Sequence, residues 1–194
     1  MAGEPLFPLF LKLAGRRVAL VGAGAVATEK LRHLLDARAE VTVIAPRIAP
    51  AIAAAPVTIV QRDFQPADLD DVWLVIAAAT PPVNREVADA AEARHIFVNA
   101  VDDPTAASAY AAAVLRRDEL TLAISTGGSA PALAGLFREA LDAVVPRDIS
   151  TWFATARRAR ADWLARRVPM SERRPLLLQA LNTLYAERSV RGQA

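Results

Sequence analysis

The segment Arg17–Lys30, "RVALVGAGAVATEK", joins a short apolar run to a glycine-rich turn and then to a stretch with helical periodicity. Residues 18–21 are all apolar, which is typical of a strand buried on both faces of a parallel sheet. In the residues that follow, Leu31, Leu34 and Leu35 fall on one side of a helix. We therefore predict a strand, a tight turn and an amphipathic helix, in that order.

The turn has the pattern Gly22-Ala-Gly24-Ala-Val-Ala27. Between a strand and a helix, the first glycine permits the tight turn, and the second allows a pyrophosphate to approach the backbone. The third small residue keeps helix and strand close together. The free amides at the start of the helix then favour phosphate binding. We predict a dinucleotide site formed by Gly22, Gly24, Ala25, Val26 and Ala27, together with Pro46 at the end of the second strand.

The acidic residue that usually binds the adenine ribose about twenty residues further on is missing. The second strand ends in "VIAPR", which contains no carboxylate. Arg47 could bind a 2′-phosphate and so favour NADP, or it could simply be solvated. The fingerprint alone leaves the choice of cofactor open.

Strands and helices continue to alternate through the first half of the chain. Four further strands are predicted by "EVTVIAP", "VTIVQRDF", "DVWLVIAAAT" and "IFVNAVDD", and a helix by "VNREVADAAEARH". This alternation predicts an α/β fold with a Rossmann-type doubly wound parallel sheet.

The pattern changes near residue 112. "ELTLAIST" predicts a strand, and "APALAGLFREALDAVV" predicts a helix that stops before Pro146. The strand and helix carry more apolar surface than they can bury alone, which favours a homodimer. Arginine-rich helices are predicted over 150–167 and 171–188. We thus expect a Rossmann domain at 1–112, a small α+β dimerisation segment at 113–147 and a C-terminal helical tail at 148–194.

The composition excludes several classes of protein. The absence of cysteine excludes disulfides, iron–sulfur ligation and thiolate catalysis, and two histidines are too few for a multi-histidine metal site, so we predict no metal ligands. No apolar run is long enough to span a bilayer, and the N-terminus lacks the pattern of a secretory signal. We expect a cytoplasmic protein that does not bind a membrane.

Charge is unevenly distributed along the chain. From Arg147 onwards there are ten arginines and four acidic residues, a balance of +6 in a chain whose total is +2. This asymmetry indicates either an anionic ligand near the C-terminal part or a solvated arginine face. The arginine-rich segment contains no clear recognition helix, so we expect no nucleic-acid partner.

Three motifs together resemble a known family. "PLFLKLAGRRVALVGAGAVATEKLRHLL", "NAVDDPTAAS" and "LTLAISTGGSAPALAGLFREAL" are similar, in order and spacing, to the precorrin-2 dehydrogenase/sirohydrochlorin ferrochelatase family, which includes the N-terminal module of siroheme synthase. The resemblance implies NAD-dependent oxidation of precorrin-2 to sirohydrochlorin and leaves open whether Fe²⁺ is then inserted. Family members use NAD without the acidic residue, so the resemblance favours NAD. It also implies a homodimer formed through the region after the Rossmann sheet.

The motif "NAVDDP" lies at the predicted carboxyl end of a parallel strand, where open α/β sheets bind ligands. A carboxylate there can accept a proton while a hydride leaves for the nicotinamide. From spacing alone, both aspartates could merely cap a loop. The resemblance places the functional aspartate at Asp102 and the substrate-contacting amide at Asn99, whereas Asp103 precedes a proline and is expected to shape the turn.

The motif "STGGS" is a second polar glycine turn before a helix. We predict that Ser125, Thr126, Gly127 and Gly128 bind carboxylates of the tetrapyrrole substrate, with nearby arginines such as Arg116, Arg117 and Arg138 assisting. Ser129 could instead be an ordinary helix cap.

The family match has small departures and one competing interpretation. Arg38 and Asp118 stand where the family commonly has glycine, both in predicted turns. No methyltransferase module accompanies the motifs, so we expect a separate enzyme to supply precorrin-2. The alternative is a non-enzymatic NAD-sensing module, but such regulators need an output domain that these motifs do not include.

Overall fold

The computed structural model of the protein describes residues 5–191, with side chains described through residue 184. Five strands form one parallel sheet in the order β3-β2-β1-β4-β5. The strands are β1 (Arg17–Val21), β2 (Glu40–Ile44), β3 (Thr58–Val60), β4 (Leu74–Ala77) and β5 (Phe97–Ala100). This order is the Rossmann arrangement, in which the direction of chain progress reverses between β1 and β4. The predicted fold class is confirmed.

Helices cover both faces of the sheet. They are α1 (Ala25–Asp36), α2 (Pro50–Ala53) and α3 (Pro81–Glu92), with a short 3-10 helix at Pro66–Leu69. Alternate residues of β1 enter different cores: Val18 and Leu20 pack with α1 and α2, while Ala19 and Val21 pack with α3. Burial on both faces explains why these strands are continuously apolar in sequence.

The remaining elements form a second compact unit. β6 (Ala113–Arg117) and β7 (Leu120–Ile124) make an antiparallel hairpin, followed by α4 (Pro131–Val144), α5 (Ile149–Ala165) and α6 (Met170–Arg191). Arg117 at the end of β6 donates hydrogen bonds to the Asp142 carboxylate at 2.5 Å and to its carbonyl at 2.9 Å. This links the hairpin to α4. As predicted, α4 stops before Pro146.

The chain divides differently from the three-part expectation. Among the residues that the structure describes, the first unit comprises 5–111 and 125–130, and the second comprises 112–124 and 131–191. The first boundary therefore lies within one residue of the predicted position. The hairpin, α4 and the tail helices, however, form one unit, and the glycine turn at 125–130 belongs with the Rossmann sheet.

Strand β6 has no counterpart among the sequence predictions. Its alanine-rich start has little strand propensity, and the signal that identifies it is the two-residue connection to β7. Asp118 in that connection has φ +50°, the left-handed conformation that tight hairpins require. Among the helices of residues 5–191, none is both long and apolar enough to cross a membrane.

Candidate active site

Gly22 directly follows β1 and has a backbone conformation and surroundings that leave no room for a side chain. Its φ is +105°, and a Cβ would lie 2.2 Å from the carbonyl oxygen of Ala78, just after β4. Gly24 has an ordinary φ of −86°, and a Cβ there would meet no atom within 4 Å. Gly22 is thus required by the neighbouring strand, whereas Gly24 faces open space that a ligand can enter.

Helix α1 begins directly after Gly24 with exposed backbone amides. Its first turn contains no acidic residue, and no side chain caps its N-terminus. Ala25 and Val26 are exposed, while Ala27 is fully buried against the sheet. The positive end of the helix is therefore unneutralised by the protein, as an anion-binding terminus requires. The open space at Gly24 and these amides fit a pyrophosphate.

The segment after β2 lies beside the glycine turn. Ala49 N donates to Ala23 O at 3.3 Å, and the exposed Pro46 accepts a hydrogen bond from Gln61 Nε2 through its carbonyl at 3.4 Å. Arg47 is exposed and forms no ion pair within residues 5–184. The predicted cofactor residues of β1, α1 and β2 therefore share the carboxyl edge of the sheet.

Asn84 joins the carboxyl ends of β4 and β5, a role that was not predicted from the sequence. It is 3% exposed; its Oδ1 accepts from Ala79 N at 2.9 Å, and its Nδ2 donates to Val101 O at 3.4 Å. One feature of the sequence could have indicated this role: Asn84 is a polar residue in the first turn of α3, on the face whose other buried residues are apolar. Asn84 holds the backbone immediately before Asp102.

Asp102 and Asp103 have opposite environments. Asp102 is exposed with φ +58°, and its carboxylate forms no hydrogen bond or ion pair within residues 5–184. Asp103 Oδ1 accepts from Thr105 Oγ1 at 2.6 Å, Thr105 N at 3.1 Å and Ala106 N at 3.2 Å, and its Oδ2 pairs with Arg85 at 2.7 Å. These bonds, above all that from the Thr105 hydroxyl, lower the pKa of Asp103. The prediction that Asp103 shapes the turn is confirmed.

Asn99 lies on β5 and is 9% exposed. Its Nδ2 donates to Ala109 O at 2.8 Å, and the neighbouring Val98 accepts hydrogen bonds from the amides of Ser108 and Ala109 through its carbonyl. The side chain therefore fastens the returning loop to the end of the sheet. A contact between Asn99 and substrate stays a prediction.

The turn at 125–130 lies beside the Asp102 loop, within the same unit. Gly127 and Gly128 have φ of +62° and +76°, and a Cβ on Gly128 would be 3.1 Å from the Tyr110 ring and 3.6 Å from Pro104. Ser125 Oγ accepts from Gly127 N at 3.1 Å, and Thr126 Oγ1 accepts from Ala130 N at 3.2 Å. Two motifs separated by more than twenty residues in sequence are thus adjacent.

The alternative interpretation, in which Ser129 caps the helix, does not match the hydrogen bonds of this turn. Ser129 Oγ donates to Thr126 O at 2.5 Å, and it is Thr126 that accepts a backbone amide before α4. Of the arginines suggested as substrate ligands, Arg117 is tied to Asp142 and Arg138 pairs with Glu139, whereas Arg116 is exposed. The Arg116 side chain forms no hydrogen bond or ion pair within residues 5–184, and contact of any of the three with substrate stays a prediction. The described residues include no group of three or more His, Cys, Asp or Glu that could hold a metal ion.

Comparison with known proteins agrees with a dinucleotide site at the carboxyl edge of the parallel sheet. Residues 9–113 match the family described as "Putative NAD(P)-binding", and the chain belongs to that family. The match covers the whole parallel sheet together with both glycine residues of the first turn. The predicted class of cofactor, a nicotinamide dinucleotide, is therefore confirmed.

Individual relatives define the resemblance further. The chain is 41% identical over 172 residues to siroheme synthase 1 of Aeromonas salmonicida (strain A449), covering 86% of this chain and 37% of that protein. It is 44% identical over 144 residues to siroheme synthase 2 of Klebsiella pneumoniae (strain ATCC 700721 / MGH 78578), covering 72% and 32%. The chain thus spans about a third of the length of these curated relatives.

A solved structure covers nearly the whole chain. "SirC, precorrin-2 dehydrogenase" superposes with a TM-score of 0.69 and 25% sequence identity, over 90% of this chain and 88% of that one. The resemblance inferred from the sequence motifs is confirmed by these relatives.

Proposed function

We propose that this protein is a precorrin-2 dehydrogenase, which oxidises precorrin-2 to sirohydrochlorin with NAD. The observation that carries the proposal is the free carboxylate of Asp102, beside the carboxyl edge of a sheet whose glycine turn fits a pyrophosphate. The similarity to siroheme synthases and to SirC supports the choice of substrate. We place the reaction in the cytoplasm.

The chemistry requires removal of a hydride and a proton from the substrate. When bound, NAD⁺ supplies the hydride acceptor. Asp102 is well suited to take the proton because its oxygens are exposed and form no hydrogen bond with residues 5–184. Asp103, by contrast, is engaged on both oxygens. In the turn at 125–130, the hydroxyls of Ser125 and Thr126 accept backbone amides and keep their protons free to donate to substrate carboxylates.

NAD is proposed over NADP. Residues 24–27 and the α1 amides fit the pyrophosphate of either cofactor. Only contacts with the adenine ribose can therefore distinguish NAD from NADP. Arg47 is exposed, where an ion pair contributes little binding energy, and the family resemblance favours NAD without an acidic residue at the ribose. Calorimetric titration with both cofactors tests this choice, and tighter binding of NADP would overturn it.

The proposal includes a homodimer formed through the second unit. On α4, Leu133, Leu136 and Phe137 are 46%, 62% and 52% exposed and lie on one side of the helix. An apolar stripe of this kind indicates a covered surface. Light scattering at micromolar concentration should give twice the chain mass, and Leu136→Asp should shift it to one chain.

The experiment supplies precorrin-2 and NAD anaerobically and follows sirohydrochlorin and NADH by absorbance. Equal amounts of both products are expected. NADH binding without any product formation would instead favour a regulatory NAD-binding module. Adding Fe²⁺ to the completed reaction then tests metal insertion, with the iron acting as substrate.

A further inference from the structure

Tyr110 lies between the two predicted substrate turns. Its hydroxyl donates to Pro104 O at 2.9 Å, two residues beyond Asp102. Its ring is 3.1 Å from the position of a Gly128 Cβ, so glycine is needed there for space as well as for its φ of +76°. One side chain thus touches both the Asp102 loop and the turn at 125–130.

The segment that carries Tyr110 is itself fixed to the sheet. Ser108 and Ala109 donate their amides to Val98 O at 3.0 and 2.9 Å, and Asn99 binds the Ala109 carbonyl. These hydrogen bonds therefore fix the position of Tyr110 relative to the end of β5. A rigid element is the appropriate support for a catalytic constellation.

We propose that Tyr110 is a positioning residue for the dehydrogenation, an inference that rests on the proposed function. The Asp102 carboxylate has no side-chain or backbone partner within residues 5–184, so its location is set by the backbone of its turn alone. Tyr110 fixes that backbone through the Pro104 carbonyl. Its ring also packs against Gly128. Tyr110 therefore sets the distance between Asp102, the proton acceptor, and the turn at 125–130, which is expected to bind substrate.

Tyr110 acts through Asp102 and is not itself the acid or base. Its hydroxyl proton is already donated to a backbone carbonyl, and its ring faces Gly128. Tyr110 affects turnover only through the position of Asp102. Substituting Tyr110 should consequently lower turnover only when Asp102 is present.

The test is a double-mutant cycle that combines Tyr110→Phe with Asp102→Asn. Tyr110→Phe keeps the ring and removes one hydrogen bond, so kcat should fall about three- to tenfold, with an unchanged Kd for NAD. In the Asp102→Asn background the same change should have no further effect on kcat. An equal loss in both backgrounds would overturn the positioning role.

A second measurement does not depend on activity. Tyr110→Ala should increase amide hydrogen exchange in peptides covering 99–106 and 125–130, while peptides of β1 and β2 keep wild-type protection. Exchange that rises around residue 110 alone would contradict the proposed link between the turns. Gly128→Ala and Gly127→Ala form a matched pair: both strain a left-handed glycine, but only Gly128→Ala should loosen the 99–106 peptide, because only Gly128 meets the ring.

The two proposals fail in different ways. If the wild type forms no sirohydrochlorin, the proposed function and the role of Tyr110 in it are both rejected. If the wild type is active and Tyr110→Phe turns over at the same rate, only the role of Tyr110 is rejected.

Discussion

A Cβ on Gly22 would lie 2.2 Å from the carbonyl oxygen of Ala78, so the ends of β1 and β4 approach as closely as they do because residue 22 has no side chain. These two strands are the neighbours between which the strand order reverses. The crevice at such a reversal is where open α/β sheets bind their ligands. Gly22 therefore shapes the crevice, and Gly24 leaves it accessible.

Gly22→Ala should lower the free energy of unfolding by about 3 kcal/mol, because the new methyl group meets fixed backbone and the φ of +105° is unfavourable for alanine. Urea denaturation measures the change. Gly24→Ala is the matched control and should cost less than about 1 kcal/mol. Equal losses for both variants would show that the contact with Ala78 is not the cause.

Gly24→Val should leave the fold intact and weaken cofactor binding about tenfold or more, because the side chain fills space that is open beside the α1 amides. NADH fluorescence titration gives the affinity, and circular dichroism checks the fold. Gly24→Ala should weaken binding less. Wild-type affinity in Gly24→Val would mean that the pyrophosphate binds elsewhere.

Asp102→Asn should reduce turnover by about 10²–10⁴-fold, the usual contribution of a general base, with little change in the Kd for NAD. Asp103→Asn is the control. It removes the ion pair with Arg85 but keeps an oxygen able to accept from Thr105, so turnover should fall much less. Full turnover in Asp102→Asn would reject the assigned role.

Asp68 should make stability depend on pH. The Arg62 guanidinium donates two hydrogen bonds to this carboxylate, at 2.8 and 2.5 Å, and lowers its pKa below the ordinary value of 3.8. A lowered pKa stabilises the fold above the unfolded-state value, and the stabilisation is lost as the pH falls through the folded-state value.

Asp68→Asn should therefore be less stable than wild type at about pH 6, and the difference should shrink as the pH falls below about 4. Urea denaturation across this range measures it. Asp63→Asn, an exposed neighbour, should show no such trend. A difference that stays constant with pH would mean that the lowered pKa does not contribute.

Local sequence predicted the sheet well because strands buried on both faces must be apolar and glycine turns have few alternatives. It did not predict the adjacency of Gly128 to Tyr110, because that contact depends on a return of the chain after the β6–β7 hairpin. Asn84 was missed for the same reason: its partners, Ala79 and Val101, are neighbours only in the folded sheet. Arg38 and Asp118, which replace common family glycines, both adopt positive φ, as turn positions do.

The assignment of residues 125–130 to the first unit restricts how this protein can be cut or recombined. The chain passes between units near residues 111, 124 and 130. A gene fragment that ends at residue 111 would encode every strand of the parallel sheet but would lack the turn at 125–130. The shortest contiguous fragment that holds the complete first unit ends at residue 130 and carries the β6–β7 hairpin without the helix that packs on it. Exchange between related genes, natural or engineered, should therefore preserve both units together.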